Sequence, residues 1–413
     1  MKRAVSDADS MRRHNRALVL RALRQHGELS RTQIAQETGL SHASVSAMIA
    51  DLMLQGVLKE LPIDFGNQRV RGRPAINVSF ERGPYNVLVI EIDVGRIRTS
   101  LVDYSGTLVD RIDRDLTPEI FQEQTPTELI AERIERMLAR NPDKAELIAR
   151  GAISVQGILN RDGSALKWSP VPGFSGHNIS GEIGNRFGFP FRLFKRGRLL
   201  AEGTRWLYPE LRSANVATVF LGSTIGLGMT LHGHHADAGD DAATEFGHMV
   251  HIPGGALCRC GMRGCIEAYA ADYAVLRKTY GVKDTTQPAP AVPLERFFEL
   301  IDSARRGERN VKHAFTQAGS AIGFGISRLM TVFDLTHVML VGPGARALPF
   351  MREALEAALA DSLVGRIHGL PEILAQDDES QPVFKGLVMK LLGEVDELDV
   401  AALPSFANSA GGA

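Results

Sequence analysis

Between Met11 and His26 the apolar residues Leu18, Val19, Ala22 and Leu23 recur at helical spacing, and Gly27 ends the run. Ser30 opens the segment SRTQIAQETG with Gln33 placed to complete a capping box, and Gly39 stops this second helix. Ser41 caps a third helix, in which Val45, Met48, Ile49 and Leu52 form one apolar stripe at i, i+3, i+4 and i+7. Two short helices around a tight glycine turn predict a helix-turn-helix. The runs VLKEL and AINVSF that follow predict two strands, with Ile76, Val78 and Phe80 alternating. The connection GNQRVRGRP between them predicts a wing carrying Arg69, Arg71 and Arg73.

Beyond Gly83-Pro84 the pattern changes to that of an α/β body. VLVIEIDVG is a near-continuous apolar run, as expected for a strand buried on both faces. RTSLVDYSGTLVDRI predicts two strands joined at Ser105-Gly106, residues 126–140 an amphipathic helix, and AISV at 152–155 another buried strand. A similar block returns as VATVFLGS, a glycine-rich turn at STIGLG, and MTLHG. A helix over 311–332 and a strand at 337–344 complete it. Strand, turn and strand occurring twice predict two related α/β subdomains with a cleft between them. Glycine-rich turns facing such a cleft would cradle phosphates through backbone N–H groups.

Charge sharpens the picture at the N-terminus. Residues 1–82 hold 13 Lys/Arg against 8 Asp/Glu, so a chain of net charge −1 has a basic end on an acidic body. A basic helix-turn-helix with an arginine-bearing wing predicts binding to double-stranded DNA. The candidate contacts are Ser41, His42, Ser44 and Ser46 at the start of the recognition helix, with Ala47 beside them, and Arg69, Arg71 and Arg73 in the wing. An arginine-rich extended segment suits a minor groove or a phosphate backbone. The bland alternative for the helices alone is a small bundle that mediates protein contacts. No apolar run approaches the ~20 residues needed to cross a bilayer, and the N-terminus lacks the apolar stretch of a signal peptide, so a cytoplasmic protein with no membrane partner is expected.

The chain has three cysteines, all between positions 258 and 265, which excludes a disulfide framework. With the histidine of EFGH they give His248, Cys258, Cys260 and Cys265. One imidazole and three thiolates make a tetrahedral set with no open position, which predicts structural Zn2+; the alternative is three reduced, unpaired thiols.

These motifs together resemble the ROK family, and within it the transcriptional repressors of sugar regulons. The resemblance rests on HNR in helix 1, SRTQIAQETGLSHASVS, the GRP after the wing, EFGH and CRCGMRGCIE. It implies an α/β fold with an N-terminal winged helix-turn-helix and two actin/hexokinase-like subdomains, assembled as a homodimer or homotetramer. It implies further that the C-terminal helix folds back toward the DNA-binding end. The implied plan is a DNA-binding domain at 1–82 and a first half at 83–192 with part of 381–400. A second half with the metal loop follows at 193–380; the tail at 401–413 is low in complexity, which predicts disorder. The resemblance also implies a sugar site between the halves, with Glu245, His248 and Glu267 by the sugar hydroxyls.

The chain departs from the sugar kinases of the family at several places. Where their catalytic base lies in a stretch like V-E-N-D-x-N, this chain reads Leu193-Phe194-Lys195-Arg196-Gly197-Arg198. A guanidinium cannot accept a proton near neutrality, so Arg196 cannot be a general base. The first phosphate loop has become Asp93-Val94-Gly95-Arg96-Ile97, the second Gly222-Ser223-Thr224-Ile225-Gly226, and the adenosine-side glycines Gly342-Pro343-Gly344. Pro170 stands where the family has a sugar-binding asparagine. The expectation is therefore a regulator without kinase activity. Its small-molecule effector would be a sugar or an anionic sugar derivative held by Lys195, Arg196 or Arg198; alternatively these cations pair internally with carboxylates. The rivals to a ligand-responsive repressor are a sugar kinase with an accessory DNA-binding domain and an architectural DNA-binding protein with a dead sensor.

Overall fold

The computed structural model describes residues 2–62, 76–83, 85–93, 95–117, 119–235, 245–289 and 292–398. The wing with Arg69, Arg71 and Arg73, Val94 of the first glycine loop, and the tail from 401 lie outside the described residues. The chain divides into two compact units, residues 1–193 with 387–413 and residues 194–386. No helix among the described residues is long and apolar enough to cross a membrane.

The first unit begins with α1 (Lys2–His26), β1 (Leu29–Ser30), α2 (Arg31–Thr38), α3 (His42–Leu54), β2 (Leu58–Pro62) and β3 (Ile76–Phe80). The strands form a three-stranded sheet in the order β1-β3-β2. Helix α1 starts at Lys2 rather than at Met11, where the apolar pattern begins; residues 2–10 contain no glycine or proline to stop it. The caps fall where the sequence puts them. The Ser30 side chain accepts from the Gln33 N–H while the Gln33 amide oxygen accepts from the Ser30 N–H at 2.8 Å, and Gly39 ends α2 at φ 69°. Leu20, Leu23, Ile34, Val45, Ile49 and Val57 close the small core between these elements.

The unit continues with β4 (Asn86–Ile92), β5 (Arg96–Asp103), β6 (Leu108–Asp115), α4 (Ile120–Glu123), α5 (Pro126–Arg140), α6 (Pro142–Ala145), β7 (Ile148–Val155), β8 (Ile158–Leu159), β9 (Leu166–Trp168), α7 (Ile179–Phe187) and β10 (Phe191–Lys195), within which the unit boundary falls. Its main sheet has the order β10-β7-β4-β5-β6, with β4 parallel to β7 and antiparallel to β5. Every residue of β4 is buried. Leu88, Ile90 and Ile92 alternate onto the face packed by Ile130 and Ile134 of α5 and Ile183 of α7.

The second unit contains α8 (Arg196–Leu207), β11 (Val216–Leu221), β12 (Ile225–Leu231), β13 (His234–His235), α9 (Glu267–Ala270), α10 (Asp272–Thr279), α11 (Leu294–Arg305), α12 (Arg309–Met330), β14 (His337–Val341), α13 (Leu348–Ala360), α14 (Leu363–His368) and β15 (Glu372–Gln376). Its sheet order is β13-β12-β11-β14-β15, with β11 antiparallel to β12 and parallel to β14. Both five-stranded sheets therefore set an antiparallel pair against a parallel strand in the same order, the doubling expected from the repeated strand-turn-strand blocks. The last helix, α15 (Ser380–Asp396), begins in the second unit and ends in the first. In the second unit it lies so close to α8 that a Cβ on Gly203 would stand 1.8 Å from the Pro382 carbonyl oxygen.

The glycine-rich turn expected at STIGLG needs correction. The turn is confined to Gly222, Ser223 and Thr224, and Gly226 and Gly228 lie inside β12. A Cβ on Gly228 would stand 2.1 Å from the Gly197 carbonyl oxygen, and one on Gly197 2.5 Å from the Leu227 carbonyl oxygen. These glycines let the first turn of α8 rest on the strand backbone. The strand expected over 337–344 likewise stops at Val341, because Gly342 takes φ 107° and Pro343 opens a 3-10 turn.

Candidate nucleic-acid interface and metal centre

On the head, Ser41 is spent on capping: its Oγ accepts from the Ser44 N–H at 3.1 Å and lies 2.9 Å from the Ser44 hydroxyl. His42, Ser46 and Ala47 are exposed, as expected, while Ser44 is half-buried. Ala43 and Ala50 share that exposure, and the sequence reading passed over them because alanine carries no polar signal. The exposed surface of α3 is thus built of small side chains around one imidazole. Such a helix can approach a major groove closely, with methyl groups available to thymine and His42 and Ser46 to base edges.

The metal candidates sit in one short stretch of the second unit. A 3-10 turn over Phe246–His248 presents His248, and the loop that follows is folded back by isolated bridges between Val250 and Cys265 and between Leu257 and Arg263. Gly264 adopts φ 85°, and a Cβ there would stand 1.8 Å from the Ile252 carbonyl oxygen, so only glycine closes this loop. One ligand atom from each of His248, Cys258, Cys260 and Cys265 lies within 4.8 Å of the others. Cys258 and Cys265 are buried and Cys260 is half-buried. Burial, and after it the neighbouring Glu267, pushes the Cys258 thiol well up; burial and Cys260 push Cys265 up to about 11. Four convergent N and S donors, two of them thiols that hold their protons until a cation takes their place, can hold a metal ion.

Around this cluster the sequence-predicted ligand residues come to different positions. Glu245 stands immediately before the turn that carries His248, and its carboxylate accepts from Lys195 Nζ at 2.6 Å. Glu267 is 1% exposed. One of its oxygens accepts from the Ile225 N–H at 3.2 Å and the other lies 3.5 Å from Cys258 Sγ. Arg196 is buried, bonded to Glu379 at 3.2 Å, with its guanidinium 5.4 Å from the centre of the Phe220 ring. For Lys195 and Arg196, internal pairing with carboxylates is what the structure contains. Arg198 also has bonding partners.

Arg259, between two of the cysteines, escaped the sequence reading. Its Nη1 donates to the Ser223 carbonyl at 2.6 Å, Nε and Nη2 donate to the Ala289 carbonyl, and the guanidinium lies 4.5 Å from the Tyr273 ring centre. The turn at 222–224 is therefore tied to the metal loop through its carbonyl. The first glycine loop is also closed on itself, with the Asp93 carboxylate accepting from the Gly95 N–H at 2.9 Å and the Asp93 N–H donating to the Arg96 carbonyl at 3.0 Å.

Asp272, 3.8 Å from Arg259, is buried, and that burial pushes its carboxyl up to about 7 against the pull of the arginine. A carboxyl that holds its proton more tightly in the folded chain contributes stability below its unfolded pKa, near 3.9, and that contribution is lost as pH rises through about 7. Asp272→Asn should therefore gain stability over the parent by up to about 4 kcal/mol at pH 8 and by little at pH 5. Denaturant midpoints of both proteins across this range test it; parallel profiles would refute it.

Comparison with known proteins places these features. The ROK family profile matches residues 87–385, and a winged helix-turn-helix DNA-binding profile matches residues 12–59. The xylose repressor of Bacillus subtilis (strain 168) is 21% identical over 370 residues, covering 90% of this chain and 92% of its own. The DNA-binding transcriptional repressor Mlc of Escherichia coli (strain K12) is 25% identical over 350 residues, covering 82% of this chain and 83% of its own. A crystal structure of a ROK family transcriptional regulator, a homologue of the Mlc protein, superposes with a TM-score of 0.71 at 18% identity, covering 93% of this chain and all of that one.

Proposed function

The chain belongs to the ROK family, and from that premise we propose that it is a DNA-binding transcriptional repressor of carbohydrate uptake or catabolism genes, without kinase activity. One observation carries the reading: a fully capped helix-turn-helix with a small-residue recognition surface precedes a body in which the family's base position is Arg196, bonded to Glu379. A permanently charged guanidinium cannot take the proton of a sugar hydroxyl. The resemblance of nearly the whole chain to xylose repressor and to Mlc supports the same reading.

The protein works in the cytoplasm, as a homodimer or homotetramer whose paired heads meet a two-fold operator. The metal is structural zinc, held by His248, Cys258, Cys260 and Cys265, which fit it in number and chemistry. Zinc there fixes the loop between Glu245 and Glu267. The effector is a sugar or an anionic sugar derivative. Lys195 and Glu245, joined at 2.6 Å, offer a donor and an acceptor to paired hydroxyls, and an anionic group would compete with Glu245 for Lys195. His248, Glu267, Arg196 and Arg198 complete the proposed surroundings. A ligand that binds one arrangement of the body better than another changes DNA affinity by that difference and no more.

Fluorescence anisotropy with duplexes from upstream of its own and neighbouring genes should show sequence-preferring binding. Arg71→Ala is expected to weaken binding to every duplex and to lower the salt slope by about one, whereas His42→Ala shifts sequence preference. An absence of preference among duplexes, or sugar phosphorylation from ATP with steady turnover, would overturn the reading. Thermal-shift screening of neutral, acidic and phosphorylated sugars tests the effector, and no stabilisation by any of them removes that part alone.

A further inference from the structure

We propose that the Tyr273 hydroxyl is the side-chain donor to the metal-bound sulfur of Cys258, making Tyr273 a positioning residue of the metal centre. The inference rests on the reading of the His248 and cysteine cluster as a zinc site. Cys258 is fully buried and Tyr273 is 2% exposed, so neither draws a hydrogen bond from bulk water. The hydroxyl lies 3.5 Å from Cys258 Sγ and 3.5 Å from the nearer Glu267 oxygen, while that same oxygen lies 3.5 Å from the sulfur. Phenol, thiol and carboxylate thus form a closed triangle around the sulfur.

In the metal-free chain the thiol has its own proton to give to Glu267. Binding of a cation removes that proton and leaves a buried thiolate facing a carboxylate. The backbone N–H of Cys260 also donates to this sulfur. A second donor is needed to offset the charge of the sulfur on the Glu267 side, and the Tyr273 O–H is the group at hand. The surroundings strengthen it as a donor. Its oxygen accepts from the Arg259 N–H at 3.4 Å, and the guanidinium groups of Arg259 and Arg277 lie 4.5 and 5.9 Å from its ring centre. Both contacts draw electron density from the phenol and polarise its O–H bond. The fold aims the side chain by a break at Ala271, so that α10 starts afresh at Asp272 and its first turn carries Tyr273 back over the loop.

The test uses the full chain, stripped of metal and titrated with Co2+. Uptake with the near-ultraviolet thiolate-to-cobalt charge transfer and visible bands of a four-coordinate site is expected for the parent. A parent that binds no Co2+ in this way overturns the zinc reading and the proposal with it. In Tyr273→Phe, which deletes one oxygen, chelator competition should show affinity lowered about 10- to 100-fold. The charge-transfer band should also move to lower energy, as the sulfur loses a donor. A parent that binds normally with a variant of equal affinity and unmoved band overturns the proposal alone. Packing loss by itself would lower stability without moving the band. Should the variant not fold, the 113Cd-loaded parent serves: a slowly exchanging Tyr273 hydroxyl proton coupled to cadmium supports the proposal, and its absence overturns it.

Discussion

Replacing Asp396 with alanine is expected to cost about 3–5 kcal/mol of stability, the range for stripping one partner from a buried ion pair. Arg24, near the end of α1, donates from Nε and Nη2 to the two Asp396 oxygens at 3.0 and 2.8 Å and from Nη1 to the Tyr104 carbonyl at 2.6 Å. The Tyr104 hydroxyl donates to the same carboxylate at 2.5 Å. Phe80 and Tyr104 place their rings 4.4 and 4.7 Å from the guanidinium. The two charged side chains are only 2% and 4% exposed, so water cannot take over for a missing partner. Burial works against the Arg24 charge, and Asp396 more than offsets it. Asp396→Ala leaves that charge uncompensated where α1, β3, the first sheet and α15 meet. The double replacement Arg24→Met with Asp396→Leu should recover most of the loss, because no ion is then stranded. Urea unfolding of the three proteins measures both effects; a single variant within about 1 kcal/mol of the parent would show that the pair contributes little.

Removal of the zinc proposed at His248 and the three cysteines should have the second large effect. The core of Ala256, Cys258, Cys265 and Ala268 is small, and the 249–266 loop it supports has almost no regular structure, so a bound ion would carry much of the loop's stability. Structural zinc contributes about 10–16 kcal/mol of binding free energy in small zinc peptides, and whatever part of it is realised here is folding free energy of this loop. Chelation, or Cys258→Ser, is expected to release one equivalent of metal, lower the melting temperature by several degrees and expose the loop to protease between Glu245 and Glu267. Elemental analysis alongside limited proteolysis checks this. A Cys258→Ser protein that retains a full equivalent and the parent cleavage pattern would contradict the assignment.

Much of this was legible along the chain, where the determinants are local. Ser30 with Gln33, Gly39 and Ser41 mark the helix ends of the head through bonds that span three or four residues. The metal set shows because three cysteines fall within eight positions and a histidine stands ten before the first. What the chain hides is contact between distant positions and the purpose of its glycines. Arg24 and Asp396 are 372 residues apart, and Lys195 and Glu245 are 50 apart, so nothing in either neighbourhood announces the other. A glycine records only that a Cβ is unwelcome. At Gly226 and Gly228 the sequence suggested a phosphate, and at Gly228 the neighbour is the backbone of α8. The long start of α1 was missed because helix propensity without an apolar stripe leaves no periodic trace.

Helix α15 follows every other described element in the chain, yet its final turn supplies the carboxylate that grips the first helix. During synthesis the head is made long before Asp396, so Arg24 waits without its counter-ion until α15 has been translated. A transcript cut short, or a ribosome stalled before codon 387, yields a DNA-binding head whose clasp is missing. Only copies that extend through Asp396 can therefore carry the head in its fastened form.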